Sequence, residues 1–420
     1  MKTYEEVRSW LFEQLPYYQK QGSIAYKPDL KKMLAFMSYL GNPHKGFSSI
    51  HVAGTNGKGS TSHMITSVLM EAGYKVGLYT SPHLKDFTER IRINGIEMES
   101  KYVVDFVQEH QTYFLEARLS FFELTVGMAF SYFKKHQVEI AVVEVGLGGR
   151  LDATNIINPV LSIITNIGLD HTQFLGTKLS EIAREKAGII KSKTPVVIGE
   201  TQAVTTTVFV EVADKLKAPI VWADQNSKSS FKTDLKGLYQ QKNIQTAVTA
   251  LEVFQFERID KNSISKGLLN VIRNTGLLGR WQVLNNEPMT VADVTHNVEG
   301  FRYVVKQIGA SKYQNLHLVL GFVKEKNLEV ILSMLPKDAF YYFCAPNINR
   351  AENLSVLEAL AKKHKLQSNI FSTVVQAYES ACKNAKKRDF IYVGGSTFVV
   401  ACWKERSSRL VTRWRNLLLF

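Results

Sequence analysis

The sequence predicts an α/β protein of two domains, a larger parallel-sheet domain followed by a smaller α/β domain. A chain of 420 residues is too long for one ordinary core and suggests roughly two or three domains. Short β-branched runs alternate with longer amphipathic segments, which is typical of parallel strands connected by helices. This alternation stops once and then restarts, which predicts a domain boundary near residue 276.

The first predicted domain, residues 1–276, has a series of strand candidates. Each candidate is a short apolar run, and segments with the 3.6-residue period of a helix lie between most of them. The candidates are FSSIHVAG (47–54), KVGLYT (75–80), EIAVVEVG (139–146), LSIITNIG (161–168), PVVIG (195–199) and APIVWA (218–223). A helix is predicted from about residue 58 to residue 72, directly after the first strand.

The second predicted domain, residues 277–420, repeats this pattern and is expected to be Rossmann-like. Helical stretches at 238–255 and 262–274 and the turn-like NTGLLGR separate the two sets of strands. The later strand candidates are MTVADVTH (289–296), LHLVLGF (316–322), AFYYFCAP (339–346) and FIYVGGS (390–396). Because open α/β sheets bind ligands at the carboxyl ends of their strands, we expect the two domains to face each other across a cleft. We expect the tail SSRLVTRWRNLLLF (407–420) to form a docked helix, with association to a membrane surface as the alternative.

Composition limits the classes of function that are compatible with this chain. Lys and Arg number 52 against 38 Asp and Glu, and the formal net charge of +14 favours acidic partners such as nucleotides, nucleic acids, membranes or polycarboxylates. The three cysteines, Cys344, Cys382 and Cys402, include no CxxC pair and provide neither a disulfide framework nor a zinc site. The amino-terminal sequence lacks an apolar signal-peptide core, and the longest uncharged stretch, residues 153–169, is interrupted by polar residues and proline. We therefore expect a cytoplasmic protein with no membrane partner.

The most informative motif is GTNGKGS, which lies between a predicted strand and a predicted helix. Glycines let backbone N–H groups turn toward a phosphate, the helix N-terminus adds positive potential, Lys58 adds a point charge, and the Ser60 hydroxyl suits phosphate or magnesium. The spacing differs from the usual Walker sequence, because only two residues separate Gly54 from Gly57 and because Gly59 precedes the hydroxyl. The motif predicts a P-loop and hence a mononucleotide-binding first domain. The candidate nucleotide-binding residues are Gly54, Thr55, Asn56, Gly57, Lys58, Gly59 and Ser60.

Three further residues have side chains suited to a ligand site. Glu144 lies near the end of the apolar run EIAVVEVG, where its carboxylate is either a metal ligand or an ordinary strand-end acid. The ring of Phe122 can stack on a flat heterocycle or pack in the core, and Asp152 can accept hydrogen bonds from such a heterocycle. The residues alone leave these alternatives open.

GTNGKGS also resembles the nucleotide loop of the folylpolyglutamate synthases and dihydrofolate synthases, a group within the Mur ligase superfamily. Segments similar to that family occur in the family's order along nearly the whole chain. They are LGNP (40–43), TSPHL (80–84), ERIRING (89–95), FFE (121–123), EVGLGGRLDATN (144–155), TNIGLDH (165–171), EKAGIIK (185–191), GRWQ (279–282) and DVTHNVEG (293–300). Because the loop and GLGGRLDATN are long and specific, the chain is identified as a member of this family.

This resemblance implies a reaction and its partners. Enzymes of the family are ATP-dependent ligases that convert a pteroate or folate carboxylate into an acyl phosphate and couple it to L-glutamate. The resemblance implies dihydropteroate, tetrahydrofolates, L-glutamate and ATP as small-molecule ligands, two magnesium ions as cofactors, and a monomer that binds no nucleic acid. Many bacterial relatives have both dihydrofolate synthase and folylpolyglutamate synthase activity, and we expect both here.

The resemblance also implies roles for individual residues. The implied catalytic residues are Lys58, Glu144, His171 and Lys186. The implied ATP contacts outside the loop are Asn243, Arg280, Asp293 and His296. The implied substrate site comprises Ser81, Phe122, Glu123, Leu151, Asp152 and Ala153. The implied metal ligands are Ser60, Ser81, Glu144, His171 and Lys186, the last as a carbamate formed with carbon dioxide.

Two other functions remain as alternatives. A Mur-type peptidoglycan ligase would perform the same chemistry on a UDP-sugar peptide. Such ligases usually have a separate UDP-binding domain before the nucleotide loop, and only 53 residues precede Gly54.

A basic, ATP-regulated nucleic-acid-binding protein would fit the charge and would bind polynucleotides with a strong dependence on salt. The sequence offers no nucleic-acid fold motif and no interleaving of aromatic and basic residues that would favour this second alternative.

Overall fold

The structure of the chain, a computed structural model, describes residues 3–15, 29–227, 229–324 and 326–402. The chain divides into two compact units. The first comprises Met1–Asp234 and Tyr239–Leu277, and the second comprises Leu235–Leu238 and Leu278–Phe420. The helix that the sequence predicts for the tail, residues 407–420, lies outside the described residues.

The first unit contains an eight-stranded sheet with the strand order β4-β3-β2-β5-β1-β6-β7-β8. Its strands are β1 (Ser48–Ala53), β2 (Val76–Tyr79), β3 (Ile91–Ile93), β4 (Ile96–Glu97), β5 (Ile140–Glu144), β6 (Leu161–Ile164), β7 (Val196–Ile198) and β8 (Ile220–Trp222). The predicted strands β1, β2, β5, β6, β7 and β8 are confirmed and pair in parallel. The strands β3 and β4 at one end of the sheet are antiparallel, and the sequence analysis did not identify them. Both are short and come from the polar sequence ERIRINGIE, which lacks the apolar run of a strand buried on two faces.

Helices pack on this sheet and bury their apolar sides against it. They are α1 (Tyr4–Gln14), α2 (Lys31–Tyr39), α3 (Lys58–Glu71), α4 (Ser100–Glu116), α5 (Phe121–Lys135), α6 (Thr172–Leu175), α7 (Leu179–Ala187), α8 (Ala203–Leu216), α9 (Gln240–Phe254), α10 (Lys261–Leu269) and α11 (Val271–Thr275). One hydrophobic cluster includes Phe36, Phe130 and Val143, and another includes Ile164 and Phe209. The predicted helix after β1 is confirmed as α3, and the stretches before the boundary are confirmed as α9 and the pair α10 and α11.

The strand order brings three loops of this unit to one edge of the sheet. Strand β1 lies between β5 and β6, and Val52 pairs with Glu144 on one side and Ile163 on the other. Because parallel strands end at the same edge, the loops that follow β1, β5 and β6 lie side by side. This edge carries most of the candidate residues of the first unit.

The second unit contains a six-stranded sheet with the order β13-β12-β11-β14-β10-β9. Its strands are β9 (Gln282–Asn286), β10 (Met289–Asp293), β11 (Leu316–Leu320), β12 (Phe340–Cys344), β13 (Gln367–Phe371) and β14 (Phe390–Gly394), and its helices are α12 (Val298–Ala310), α13 (Leu328–Met334), α14 (Leu354–Lys363) and α15 (Val374–Asn384). The four predicted strands, β10, β11, β12 and β14, are confirmed and pair in parallel. The sequence analysis missed the antiparallel β9 and the parallel β13, because both are edge strands with partly exposed, largely polar residues. None of the helices in the described ranges is both long enough and apolar enough to span a membrane.

Candidate active site

The phosphate loop joins β1 to α3, as the sequence predicts. Gly54 and Gly57 have positive φ angles of 149° and 84°, in the region that favours glycine. A Cβ atom on Gly54 would lie 1.8 Å from Thr165 Oγ1, and one on Gly57 would lie 2.3 Å from Asn243 Oδ1. The first turn of α3, which begins at Lys58, has backbone N–H groups without intrahelical acceptors, and such a turn binds anions.

Hydrogen bonds from the loop after β6 hold the phosphate loop on one side. Thr165 Oγ1 donates to the carbonyl of Asn56 at 2.6 Å, and Asn166 Oδ1 accepts from the Asn56 N–H at 2.9 Å. Thr55 Oγ1 donates to the carbonyl of Gly168 at 3.2 Å and accepts from the Gly168 N–H at 2.9 Å. Thr165 and Asn166, which the sequence analysis did not select, therefore help to fix the loop's conformation.

Helix α9 contacts the phosphate loop from a second side. Asn243 Nδ2 donates to Gln240 Oε1 at 2.8 Å, and Gln240 Nε2 donates to Ser60 Oγ at 3.2 Å. Gln240 and Ser60 are each only 1% exposed, so the serine hydroxyl lies in a buried polar site. The structure thus brings Asn243 and Ser60 together through Gln240, another residue that the sequence analysis missed. Gln240 lies one helical turn before Asn243, and that spacing is the one signal that pointed to it.

Two lysines from different elements meet at the carbonyl of Gly54. Lys58 Nζ donates to this oxygen at 3.0 Å, and Lys186 Nζ, from α7, donates to it at 2.9 Å. Lys186 is buried, and this burial, followed by the positive charge of Lys58, lowers the pKa of Lys186 to about 7. Near neutral pH, a large fraction of the Lys186 side chain is therefore an uncharged amine.

Glu144 ends β5 directly beside the phosphate loop, because it pairs with Val52 of β1 in the sheet. It is buried, and its Oε2 accepts from the Ser81 N–H at 3.2 Å. Ser81 follows β2, which is the neighbour of β5 on the side away from β1. The structure therefore places a buried carboxylate and a hydroxyl-bearing residue next to the phosphate loop.

His171 immediately precedes α6, in the loop that continues from Thr165 and Asn166. Its φ of 51° is left-handed, and its N–H donates to the Asp170 carboxylate at 2.9 Å. The negative charge of Asp170 opposes the fall in the pKa of Lys186, which indicates that the two groups are close. The loop that carries His171 thus extends from the phosphate loop toward Lys186.

The donor groups at this edge fit a magnesium site. They are hard oxygens from Glu144, Ser60 and Ser81, together with the imidazole of His171. Within the described ranges, no group of three or more His, Cys, Asp or Glu side chains could hold a metal ion by itself. Magnesium commonly takes one or two carboxylates from a protein and completes its coordination with waters and substrate phosphates. One buried carboxylate beside a phosphate loop matches that preference.

Phe122 lies in the first turn of α5 and packs on the loop that follows β5. A Cβ atom on Gly146 would lie 2.4 Å from Phe122 Cζ, and the ring centroid of Phe122 is 6.1 Å from that of Tyr79. Phe122 is partly exposed, whereas its neighbour Phe121 is 1% exposed and belongs to the core. The ring of Phe122 is therefore held in position while part of its surface stays available to a ligand.

Asp152 holds the loop after β5 in shape. Its Oδ2 accepts from the Leu147 N–H at 2.9 Å, and its Oδ1 accepts from the Thr154 N–H at 3.0 Å. The Thr154 hydroxyl also donates to this carboxylate and lies 2.8 Å from Nε2 of His51 in β1. Burial raises the pKa of the Asp152 carboxyl, while these hydrogen bonds oppose the rise. The observed contacts of this acid are thus internal to the loop and tie it to the sheet.

The other candidate substrate residues of this region also have local contacts. Glu123 Oε2 accepts from both the N–H and the hydroxyl of Ser120 at 2.7 Å, and Ser120 Oγ accepts from the Glu123 N–H at 3.2 Å. This capping box fixes the start of α5. Leu151 is partly exposed and Ala153 is buried, and the adjacent Arg150 forms an ion pair with α7 at 2.8 Å.

In the second unit, Asp293 organises the carboxyl end of β10. Its Oδ2 accepts from the Trp281 N–H at 2.6 Å, and its Oδ1 accepts from the Thr295 N–H at 2.8 Å. Arg280 precedes Trp281 and is partly exposed, while His296 follows Thr295 and has its Nδ1 3.0 Å from a backbone carbonyl. The structure therefore groups the three candidate residues of this unit around one strand end, with Asp293 itself buried.

Two family models match the chain. The Mur ligase middle domain matches residues 52–286, which is more than half of the chain. The Mur ligase, glutamate ligase domain matches residues 279–397.

Curated proteins and solved structures that are similar to the chain belong to the same family. The dihydrofolate synthase/folylpolyglutamate synthase of Escherichia coli is 34% identical over 366 residues, which cover 83% of this chain and 84% of that protein. A bifunctional folylpolyglutamate synthase/dihydropteroate synthase of Haloferax volcanii is 34% identical over 407 residues, and the chain spans 48% of that longer protein. The structure of E. coli FolC in complex with DHPP and ADP matches with a TM-score of 0.85 and 31% identity over 96% of this chain and 98% of that one.

Proposed function

The chain belongs to the Mur ligase family, and we propose from this premise that it is an ATP-dependent ligase that couples pteroates and folates to L-glutamate. The similarity to the E. coli dihydrofolate synthase/folylpolyglutamate synthase extends over most of both chains. A related structure holds DHPP and ADP, which supports a pterin substrate and ATP as the phosphoryl donor. The enzyme has both activities, converting dihydropteroate to dihydrofolate and extending reduced folates with further glutamate.

Amide formation from a carboxylate and an amine requires activation of the carboxylate. A carboxylate oxygen of the substrate attacks the γ-phosphorus of ATP, which gives an acyl phosphate and ADP. The amino group of L-glutamate then attacks the acyl carbon and loses a proton, and inorganic phosphate leaves with the former carboxylate oxygen. Both steps concentrate negative charge, so they are accelerated by cations and N–H donors that are fixed in advance and shielded from water.

The phosphate loop and Lys58 bind and orient the phosphates of ATP. Lys58 Nζ is already held at the carbonyls of Gly54 and Thr55, at 3.0 and 3.2 Å, so little further ordering is required when ATP binds. Phe122 stacks on the pterin, with the loop shaped by Asp152 beside it. Arg280, Asp293 and His296 of the second unit serve the nucleotide, and His296 also suits the carboxylates of glutamate.

Magnesium is the cofactor that this site requires, and we propose two ions. Ser60, Ser81, Glu144 and His171 would hold them together with the ATP phosphates. When bound, magnesium supplies positive charge that neutralises the transferred phosphoryl group and the leaving groups.

Lys186 is proposed to act as a carbamate. Carbon dioxide adds to a neutral amine with loss of one proton, and the lowered pKa of about 7 makes that form of Lys186 available. The product is an anion, and the ammonium of Lys58, which shares the Gly54 carbonyl with Lys186, would attract it. The carbamate would provide a further oxygen ligand for magnesium.

We also propose that the enzyme is a cytoplasmic monomer. The chain has three cysteines without a CxxC pair, and such a sparse set favours a reducing compartment. Gel filtration with light scattering tests the oligomeric state, and a mass of twice the chain's 47.5 kDa would contradict it.

The observation that carries the proposed function is the convergence of Lys58 and Lys186 on one loop carbonyl beside the buried Glu144. The test combines purified protein, Mg-ATP and L-glutamate with dihydropteroate, tetrahydrofolate or no acceptor, and measures ADP release and product mass. We expect ADP and a product one glutamate heavier with each acceptor, and neither without an acceptor. Absence of product with both acceptors would refute the function. Product from tetrahydrofolate alone would refute the dihydrofolate synthase activity.

A further inference from the structure

A line of polar side chains leads from the phosphate loop to a carboxylate outside it. The Asn56 N–H donates to Asn166 Oδ1 at 2.9 Å, and Asn166 Nδ2 donates to Glu200 Oε1 at 3.1 Å. The other oxygen of Glu200 accepts from the Lys242 ammonium in a short hydrogen bond. Glu200 and Lys242 have side-chain exposures of 22% and 48%, so the line runs from the half-buried Asn56 to the exposed Lys242.

The carboxylate determines which way the Asn166 amide is oriented. The oxygen and nitrogen of an asparagine amide are nearly equal in size but have opposite hydrogen-bonding roles. The Asn56 N–H requires an acceptor, and an ionised carboxylate such as Glu200 only accepts, so it requires a donor. The opposite orientation would set nitrogen against N–H and oxygen against carboxylate, and both contacts would be repulsive. Glu200 therefore favours the orientation in which Asn166 can hold the loop.

Glu200 is itself held in place by its surroundings. It follows β7 and Gly199, where a Cβ atom would lie 2.3 Å from the carbonyl of Thr165, so the two loops approach each other closely. Two residues further on, the Gln202 amide accepts from the Ile167 N–H at 3.0 Å and donates to the Ile167 carbonyl at 2.9 Å. The loop after β7 thus fixes the loop after β6, which in turn fixes the phosphate loop.

The same line also joins the phosphate loop to α9. Lys242 directly precedes Asn243, whose amide oxygen lies against Gly57. Helix α9 therefore supports the phosphate loop at two points, directly through Asn243 and indirectly through Lys242 and Glu200.

We propose that Glu200 is a positioning residue for the nucleotide phosphates, acting through Asn166 on the peptide of Asn56. The hydrogen bond from the Asn56 N–H to Asn166 fixes the orientation of this peptide. The N–H groups that follow it at the start of α3 then point toward the phosphates. This inference rests on the proposed function only in that the loop binds ATP. It concerns nucleotide affinity, whichever carboxylate the enzyme activates.

An exchange of hydrogen-bonding roles between the two side chains tests this directly. Asn166→Asp keeps the acceptor for Asn56 but sets a second carboxylate against Glu200, and we expect the Kd for Mg-ADP to rise about tenfold. Glu200→Gln still offers an oxygen to Asn166, and we expect a change of less than about threefold. In the double variant Asn166→Asp/Glu200→Gln, the introduced amide donates to the introduced carboxylate, and we expect Kd to return to within about threefold of the unaltered protein.

Calorimetric titration of the full chain with Mg-ADP measures these constants, and thermal unfolding is measured alongside. Glu211→Gln is the matched control, because it removes a carboxylate from the surface pair with Arg184, 3.5 Å apart in the same unit, and should leave Kd unchanged. Rescue of Kd in the double variant, with thermal midpoints that stay close to that of the unaltered protein in all variants, supports the proposal, because a loss of general stability would also lower the thermal midpoint of Asn166→Asp. A double variant as weak as Asn166→Asp, or a control that weakens binding equally, would overturn it.

The same titration separates this inference from the proposed function. If the unaltered chain binds Mg-ADP and the rescue occurs but no folate is glutamylated, the positioning role stands and the function fails. If the unaltered chain does not bind Mg-ADP, both are overturned.

Discussion

Removal of carbon dioxide is expected to inactivate the enzyme reversibly, because only the carbamate of Lys186 would complete the site. With a pKa of about 7, about nine-tenths of the Lys186 side chain is neutral at pH 8, whereas a lysine at the ordinary value of 10.5 would be about 0.3% neutral. The buried site therefore offers about 300 times more reactive amine than an exposed lysine at this pH. The neutral fraction falls to about one-tenth at pH 6, so carbamylation and turnover should both decline as the pH falls through 7.

The assay follows glutamylated product at pH 8 in buffers stripped of carbon dioxide, before and after bicarbonate is added. Lys186→Arg cannot form a carbamate, so we expect its kcat to be lower by about 100-fold or more. Its turnover should not change when bicarbonate is added. Lys191→Arg is the matched control, since Lys191 is also partly buried and donates to a backbone carbonyl at 3.0 Å. It should retain both activity and the response to bicarbonate. Equal turnover of the unaltered enzyme with and without carbon dioxide, or full activity of Lys186→Arg, would show that the carbamate of Lys186 is not required.

Lys58→Ala is expected to lower kcat by about 100-fold or more without changing the thermal midpoint of unfolding. Normal turnover in this variant would show that the Lys58 ammonium has no catalytic role. Phe122→Ala should raise KM for dihydropteroate about tenfold and KM for ATP less than about twofold, because the ring lies against Gly146 and near Tyr79, which are not part of the phosphate loop. Equal increases would contradict stacking. Gly57→Ala should destabilise the protein more than Gly73→Ala. The two glycines have φ angles of 84° and 80°, but a Cβ atom would collide, at 2.3 Å, only at Gly57. Denaturant unfolding should show that the free energy of unfolding falls by about 1 kcal/mol in Gly73→Ala and by at least about 2 kcal/mol in Gly57→Ala. Equal losses would contradict the collision.

The parallel strands and the phosphate loop could be predicted because their signals are local. A strand buried on both faces is rich in apolar residues, and β1, β5 and β6, which are buried along nearly their whole length, lie in apolar stretches of this kind. The edge strands β4, β9 and β13 are at least partly exposed and mix polar with apolar residues, so their sequences resemble loops. The pairing of these strands could not be predicted from the sequence pattern.

The convergence of distant residues could not be predicted from spacing. Lys186 Nζ reaches the Gly54 carbonyl across 132 positions of sequence, and this contact exists only because α7 packs beside the carboxyl edge of the sheet. Likewise, Glu144 adjoins the phosphate loop because β5 is the neighbour of β1 in the strand order. The family resemblance named both residues, but their contacts required the fold.

Several acidic residues selected for ligands have local structural contacts that the sequence did indicate. Asp152 and Asp293 both precede a threonine by two positions, and both accept from its N–H and hydroxyl, as in an Asx turn. Glu123 follows Ser120 by three positions, which is the spacing of a capping box. These patterns compete with ligand binding for the same carboxylates, so a strand-end or helix-start acid is ambiguous until its hydrogen bonds are known. Asn166, by contrast, is an amide without any periodic signal, and only the structure reveals its contact with the loop. Gln240 lies one helical turn before Asn243, but its contact with Ser60 is likewise known only from the structure.

Activation of the substrate carboxylate by phosphoryl transfer can be followed through the fate of a carboxylate oxygen. Dihydropteroate labelled with ¹⁸O in the carboxylate is incubated with the enzyme, Mg-ATP and L-glutamate, and the inorganic phosphate is analysed by mass spectrometry. We expect one ¹⁸O atom in the phosphate for each molecule of product, because the leaving phosphate carries the former carboxylate oxygen. Unlabelled phosphate formed together with glutamylated product would contradict an acyl phosphate and the role given to this site.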